Sequence, residues 1–262
     1  MEFVSRFFRR ILFSYKQESL LSDWKTYILF DLIPPISQTL FFSLVAYYSY
    51  GPDYLKKWMI GNTLLMASFN ALFGVGTQIM VEKYHGTLSL LMASRTRLGS
   101  VFMSSTISAM LSSFISVVIG LTFISFLLNI HWNVNLMFSF VVVLLVAVFV
   151  SMSFGYIFAC FILVTSETNL VLNLVSRILL IFTGANFSIS KLPPVLQFFS
   201  NLLPLTRSIR VAQGLIEGQS LSLNGNLLLQ EIFLGCCFLL LGVFLLKVME
   251  YQARKGGSVE FV

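Results

Sequence analysis

Long apolar runs separated by short polar links decide what this chain can fold into. Between Tyr27 and Met249 several stretches exceed the ~18 apolar residues that mark a candidate membrane span. Inside a bilayer the backbone polar groups must be satisfied within the segment, so such runs fold as helices. The chain is 57% hydrophobic and 11% charged, under half the ~25% charged content of soluble domains. The expectation is an all-α integral membrane protein with six transmembrane helices in a single domain over residues 1–262. The spans are expected near 27–50, 58–80, 100–128, 136–164, 170–187 and 227–249.

Two polar regions do not fit that pattern. In residues 1–25, Phe3, Phe7, Phe8, Ile11, Leu12 and Tyr15 alternate with Arg6, Arg9, Arg10 and Lys16. An apolar face opposite a basic one predicts a helix lying in the interface, not across it. Between the second and third spans lies Val81–Leu98, VEKYHGTLSLLMASRTRL. Tyr84, Leu88 and Leu91 fall at i, i+4 and i+7 with Met92 beside them, the stripe of a short amphipathic helix. Such a helix lies on lipid or docks on a partner.

Residues 188–226 also break the rhythm. They are half apolar and punctuated by Pro193, Pro194 and Pro204. Two short helices dipping into the interface are expected there, a re-entrant hairpin between spans five and six.

Charged residues inside the spans are few. Asp31 lies near the start of the first span, just before Pro34-Pro35, where a bend is expected. An acid there is either a functional intramembrane group or a favourable partner of the helix macrodipole, and the second reading is favoured. Arg177 is the basic residue of the fifth span. Glu167 stands ten residues away, about 15 Å along a helix, so the partner of Arg177 must come from another span, lipid or a second subunit. Glu231 falls near the start of the sixth span and reads as terminal. The hydroxyls of the third span, among them Ser104, Ser108, Ser113 and Ser116, either bond backbone and neighbouring helices or line a polar path. Gly74-Val75-Gly76 follows no strand and reads as a close helix contact.

Charge also sets orientation. With six spans both termini share one side, which holds eleven basic residues: Arg6, Arg9, Arg10, Lys16, Lys25, Lys83, Arg95, Arg97, Lys247, Arg254 and Lys255. The opposite side holds five, Lys56, Lys57, Lys191, Arg207 and Arg210. The positive-inside rule places both termini and the 82–97 stretch in the cytoplasm of a cell-membrane protein. The net charge of +6 is therefore a record of topology and not a nucleic-acid footprint.

No P-loop, HExxH or Ser/His/Asp grouping is present in the sequence, which has two histidines. No metal or cofactor is expected on this chain. MEFVSRFFRR lacks the apolar core and small-residue site of a cleavable signal peptide. Cys160, Cys236 and Cys237 lie within apolar runs and read as small buried apolar residues.

The layout resembles the permease subunit of ABC-2 type exporters. Glu82-x-x-x-Gly86-Thr87-Leu88, then Leu90-Leu91 and Ser94, is similar to the family's loop after the second span. The amphipathic N-terminal helix is a second likeness. Gly184-x-x-Phe187, Leu192-Pro193-Pro194 and Leu203-Pro204-Leu205-Thr206, ending at Gly214 to Gly218, resemble its fifth-span end and outer hairpin. Ser89, Arg95-Thr96 and Ser188 depart from the family pattern.

The resemblance implies a division of labour. Two permeases, identical or related, pair above two separate ABC ATPase subunits that bind ATP and Mg. Glu82, Tyr84, Gly86, Thr87, Leu88, Leu91, Met92 and Arg95 form the coupling helix, and the N-terminal helix with Phe7, Phe8, Arg9 and Arg10 adds a second contact. Arg177 and Asp31 lie at the dimer interface or path. Phe187, Pro193, Pro194 and Pro204 belong to the extracellular gate. The expected cargo is an amphipathic small molecule, drug or peptide; a polysaccharide or lipid-linked glycan is the alternative. A gradient-driven secondary carrier and a membrane scaffold are the readings of another class.

Overall fold

The computed structural model describes residues 25, 27–86, 98–164 and 168–256. The N-terminal segment 1–24, the stretch 87–97 and residues 165–167 lie outside them. Eight α-helices follow in order among the described residues: α1 (Ile33–Tyr50), α2 (Pro52–Tyr84), α3 (Leu98–Leu127), α4 (Val134–Val164), α5 (Thr168–Phe182), α6 (Pro194–Leu202), α7 (Thr206–Ile216) and α8 (Gly225–Gly256). A π-helical turn, Tyr27–Leu32, precedes α1 and contains Asp31. Pro34 and Pro35 stand in the first turn of α1, where a missing N–H costs little. The helical geometry thus changes at the point where the prolines predict a bend.

Among the described residues, three helices are long and apolar enough to cross a membrane by length and composition: Thr106–Leu127, Val134–Ile162 and Gly225–Met249. This is an all-helical, multi-span membrane protein. α2 is equally long at 33 residues but carries Asn62, Thr63 and Ser68, all buried. Its polar groups face the bundle instead of lipid, so hydropathy alone understates it.

The core is built on α2 and α4. α4 packs against α8, α2, α7 and α3, and α2 packs against α1, α3, α4, α7 and α5. Met59, Ile60, Leu64 and Leu65 of α2 meet Phe140, Val143, Ala147 and Tyr156 of α4 within one buried cluster. Lipid tails are as apolar as these side chains, so close packing and interhelical hydrogen bonds supply the stability. The α4–α8 seam shows how. Gly235 lies against Phe149 and Val150, and Gly242 lies against Tyr156 and Ile157, too close for any side chain to fit without movement. The hydroxyls act likewise: Ser113 Oγ donates to the Ala67 carbonyl at 2.5 Å, and Ser68 and Ser151 bond each other. These contacts assign Ser113 to helix-to-helix bonding. Gly76 faces Leu172 of α5 and Ile162, the close contact expected of the Gly74–Gly76 pair.

Several boundaries differ from the sequence reading. The expected loop Gly51–Lys57 is reduced to Gly51, because Pro52 opens α2 at once and Asp53 sits in its first turn. Gly51 takes φ +100°, a conformation suited to glycine. α5 stops at Phe182, five residues early, at a bend over Thr183–Phe187 where Gly184 has φ +85°. α8 runs on to Gly256, so the tail expected in water begins as helix. Cys236 and Cys237 are exposed free thiols, contrary to the buried reading, because both lie on the outward face of α8; Cys160 is buried as expected.

Candidate functional site

The bend after α5 is the point where distant segments meet. Non-helical backbone within a membrane protein is tolerated where protein buries it, and Thr183, Ala185 and Asn186 are buried. A Cβ on Gly61 of α2 would stand 3.1 Å from the Ala185 Cα, so any larger residue would push the two segments apart by a few tenths of an ångström. One residue further, Asn62 Nδ2 donates to Asn186 Oδ1 at 2.7 Å and also to the Trp58 carbonyl at 2.9 Å. The Trp58 ring packs edge-on against Phe187 with centroids 6.4 Å apart, and Tyr50 lies 5.7 Å from Trp58. From α7, Gln213 Nε2 donates to the Gly184 carbonyl at 3.3 Å.

α6 and α7 form the two short helices expected between spans five and six. α6 exposes Val195, Phe198 and Phe199, as an interfacial helix does. α7 packs against α2, α4 and α8 and buries Ile209, Val211, Ala212 and Leu215. Gly214 faces Gln219 in the turn that follows α7, 2.7 Å from where a Cβ would stand. Its far end is tied to α2 by Lys57 Nζ and Glu217 Oε1 at 2.6 Å.

Glu231 is the site residue that sequence reasoning missed. It does not sit at a wet helix end but is fully buried on α8. Its Oε1 accepts the Leu205 N–H at 2.6 Å, and its Oε2 lies 3.5 Å from Arg207 Nη1. The signal available in the sequence was one acid, seven residues into α8, opposite a hairpin bearing Arg207 and Arg210.

α5 has one buried and one open face. Leu172, Val175, Ser176 and Leu179 turn inward, while Leu170, Asn173, Leu174, Arg177 and Ile181 are exposed. Arg177 therefore shows its guanidinium group on a surface otherwise dominated by apolar side chains.

Residues 10–216 match the ABC-2 type transporter family, most of the chain. The chain belongs to that family. No individually curated protein matches it. An ABC-2 membrane domain is the transmembrane permease part and lacks the ATPase domain, and such permeases pair with an ABC ATPase. This chain is thus a permease component of an ABC-2 transporter.

The structure distributes the expected functional residues of this ABC-2 permease unevenly. Glu82 and Tyr84 are in the last turn of α2, and Gly86 follows in a turn with φ +68°. Thr87, Leu88, Leu91, Met92 and Arg95 lie outside the described residues, as do Phe7, Phe8, Arg9 and Arg10. Asp31 is in the π-helical turn, on a different element from Arg177. Phe187, Pro193 and Pro194 are exposed, whereas Pro204 is buried beside the Glu231 contact. The four residues expected at the gate thus occupy one hairpin region but not one surface. Among the described residues no three of His, Cys, Asp and Glu converge in a metal-binding group.

Proposed function

We propose that this ABC-2 permease is one half of an ATP-driven exporter with six membrane passes and both termini in the cytoplasm. Two permeases pair, and two ATPase subunits dock below on the 82–97 stretch and the N-terminal segment 1–25. The observation that carries this reading is the position of the Glu82-x-x-x-Gly86 motif. It sits where α2 ends, in a turn, and α3 begins again at Leu98. The Gly51 turn, Lys56 over the Trp132 ring at 5.9 Å and the Lys57–Glu217 pair gather the opposite loops at the other end. The motif is thus separated from the outer hairpin by the length of α2. The basic-residue asymmetry supports a cytoplasmic 82–97 end.

Arg177 supports pairing. A charge on an outward helix face is costly in lipid, and a second permease covering α5 removes that cost. The favoured cargo is an amphipathic small molecule, drug or peptide. The exposed Tyr50, Tyr54 and Phe187 around Trp58 favour the glycan alternative, because aromatic faces stack on sugars.

The test is purification from native membranes. A P-loop ATPase subunit is expected to co-purify, with ATP hydrolysis that depends on the 82–97 stretch. A lone active protein driven by a proton gradient overturns the reading.

A further inference from the structure

α7 is held at its two ends by different spans, and the two attachments differ in kind. At its start, Glu231 of α8 has no exposed surface and its carboxylate takes the Leu205 N–H at 2.6 Å. Leu205 is itself fully buried and has φ +74°. A branched residue rarely adopts that conformation, and it persists only where the surroundings over-determine it. A buried carboxylate is likewise retained only when hydrogen-bonded. Two unfavourable features therefore hold each other in place, with Arg207 3.5 Å away. Thr206 Oγ1 adds a bond to the Ser200 carbonyl at 2.6 Å, fixing α6 to the same joint. The other end of α7 is held by Glu217 on Lys57, a solvent-accessible pair with 49% and 27% of the side chains exposed. Such pairs are weak and screened. Lys57 stands in the first turns of α2, which continues without a break to Tyr84 at the candidate coupling stretch.

We propose that Glu231 is a positioning residue for export. It is the pivot that fixes the start of α7 to α8, so that displacement of α2 swings the Ile216 end of α7 and leaves the Leu205 end in place. This rests on the reading of the chain as an ATPase-driven permease. Glu231 touches no cargo in this proposal; it acts through the Leu205 backbone.

Hydrogen–deuterium exchange of the full permease in nanodiscs, with its co-purified ATPase, tests it. In the wild type, addition of ATP and Mg with vanadate is expected to change exchange in peptide 213–219 about tenfold and to leave 203–209 within about twofold. E231A removes the acceptor and is expected to speed exchange of 203–209 at least about tenfold, even in the permease alone. E231Q keeps a carbonyl oxygen for the Leu205 N–H and is expected to restore protection. Wild-type opening of 203–209 together with 213–219 overturns the pivot, as does the absence of any change at 213–219. Unchanged protection in E231A, or equal loss in E231A and E231Q, overturns the role of the carboxyl oxygen. If E231A fails to insert, the nucleotide response of E231Q decides the matter: a wild-type pattern supports the pivot and a lost one overturns it. If no ATPase co-purifies, the exporter reading fails, while the E231A and E231Q comparison in the permease alone still decides whether Glu231 pins α7.

Discussion

Asn62 and Asn186, 124 positions apart in the chain, share a buried hydrogen bond of 2.7 Å that closes the start of α2 onto the break after α5. Both are almost without exposed surface. Among the described residues, Asn62 Oδ1 and Asn186 Nδ2 have no protein partner. The pair is therefore satisfied on one side only, and each amide depends on the other.

Replacing one asparagine should consequently cost more than its share. Asn62→Leu leaves Asn186 Oδ1 buried without a donor, a loss of roughly 1–3 kcal/mol. The double variant Asn62→Leu/Asn186→Leu is expected to lose less than the sum of the single variants, by at least about 0.5 kcal/mol. Unfolding of all four proteins in detergent gives the cycle. Strict additivity means that the bond contributes nothing.

Gly61 and Gly76 provide a contrast on one helix. A Cβ at Gly61 meets the Ala185 backbone at 3.1 and 3.2 Å, which cannot rotate away. Gly61→Ala is expected to destabilise by roughly 1–3 kcal/mol through overpacking. At Gly76 the nearest atoms are the Leu172 methyls at 2.7 and 2.9 Å, the tip of a side chain with other rotamers. Both variants gain the same roughly 0.5–1 kcal/mol of helix preference, so the side-chain neighbour decides, and the melting temperature of Gly76→Ala should fall less than that of Gly61→Ala. The reverse order contradicts this account.

The 82–97 stretch is expected to fail as a docking element without failing as membrane protein. Leu88→Asp or Leu91→Asp places a charge on the apolar stripe. Membrane insertion should be retained, and co-purifying ATPase should drop at least about tenfold, the scale of losing a buried apolar anchor worth ~2 kcal/mol. Western blotting of membranes and ATPase assay of the purified complex measure the two separately. Full ATPase recovery in both variants moves the docking site elsewhere.

Arg177 should matter for assembly more than for folding. Arg177→Leu removes the charge that the pairing proposal places at the interface, so it is expected to shift the permease from dimer towards monomer in native mass spectrometry. Arg177→Lys should keep part of the association. An Arg177→Leu protein that stays dimeric and fully active sinks the interface assignment.

Much of the fold was legible in the chain because apolar runs and proline clusters act locally. The α3 and α4 spans and the two short helices after Pro193 and Pro204 follow from composition and backbone restriction alone. What escaped depends on contacts distant in sequence. Nothing near Asn62 announces Asn186. Glu231 looked terminal because seven residues into a helix is ordinarily near water, and only the insertion of α7 beside α8 buries it. The early end of α5 was hidden for a similar reason: Thr183–Phe187 carries no charge and no proline to stop a span, and the close contact at Gly61 and the bond from Gln213 favour the bend instead. The family resemblance was carried by motifs whose most specific part, beyond Gly86, lies outside the described residues.

The one-residue link at Gly51 has a mechanical consequence. Two long helices joined by a single turn residue cannot slide past one another by much; they form one hinged bracket. Any stroke delivered to α2 is delivered to α1, and with it to the exposed Phe41 and Tyr48 on its surface. On the opposite flank, the glycine seam holds α8 closely against α4. The link at Gly51 thus leaves no slack that would let the first helix stay behind when the second moves.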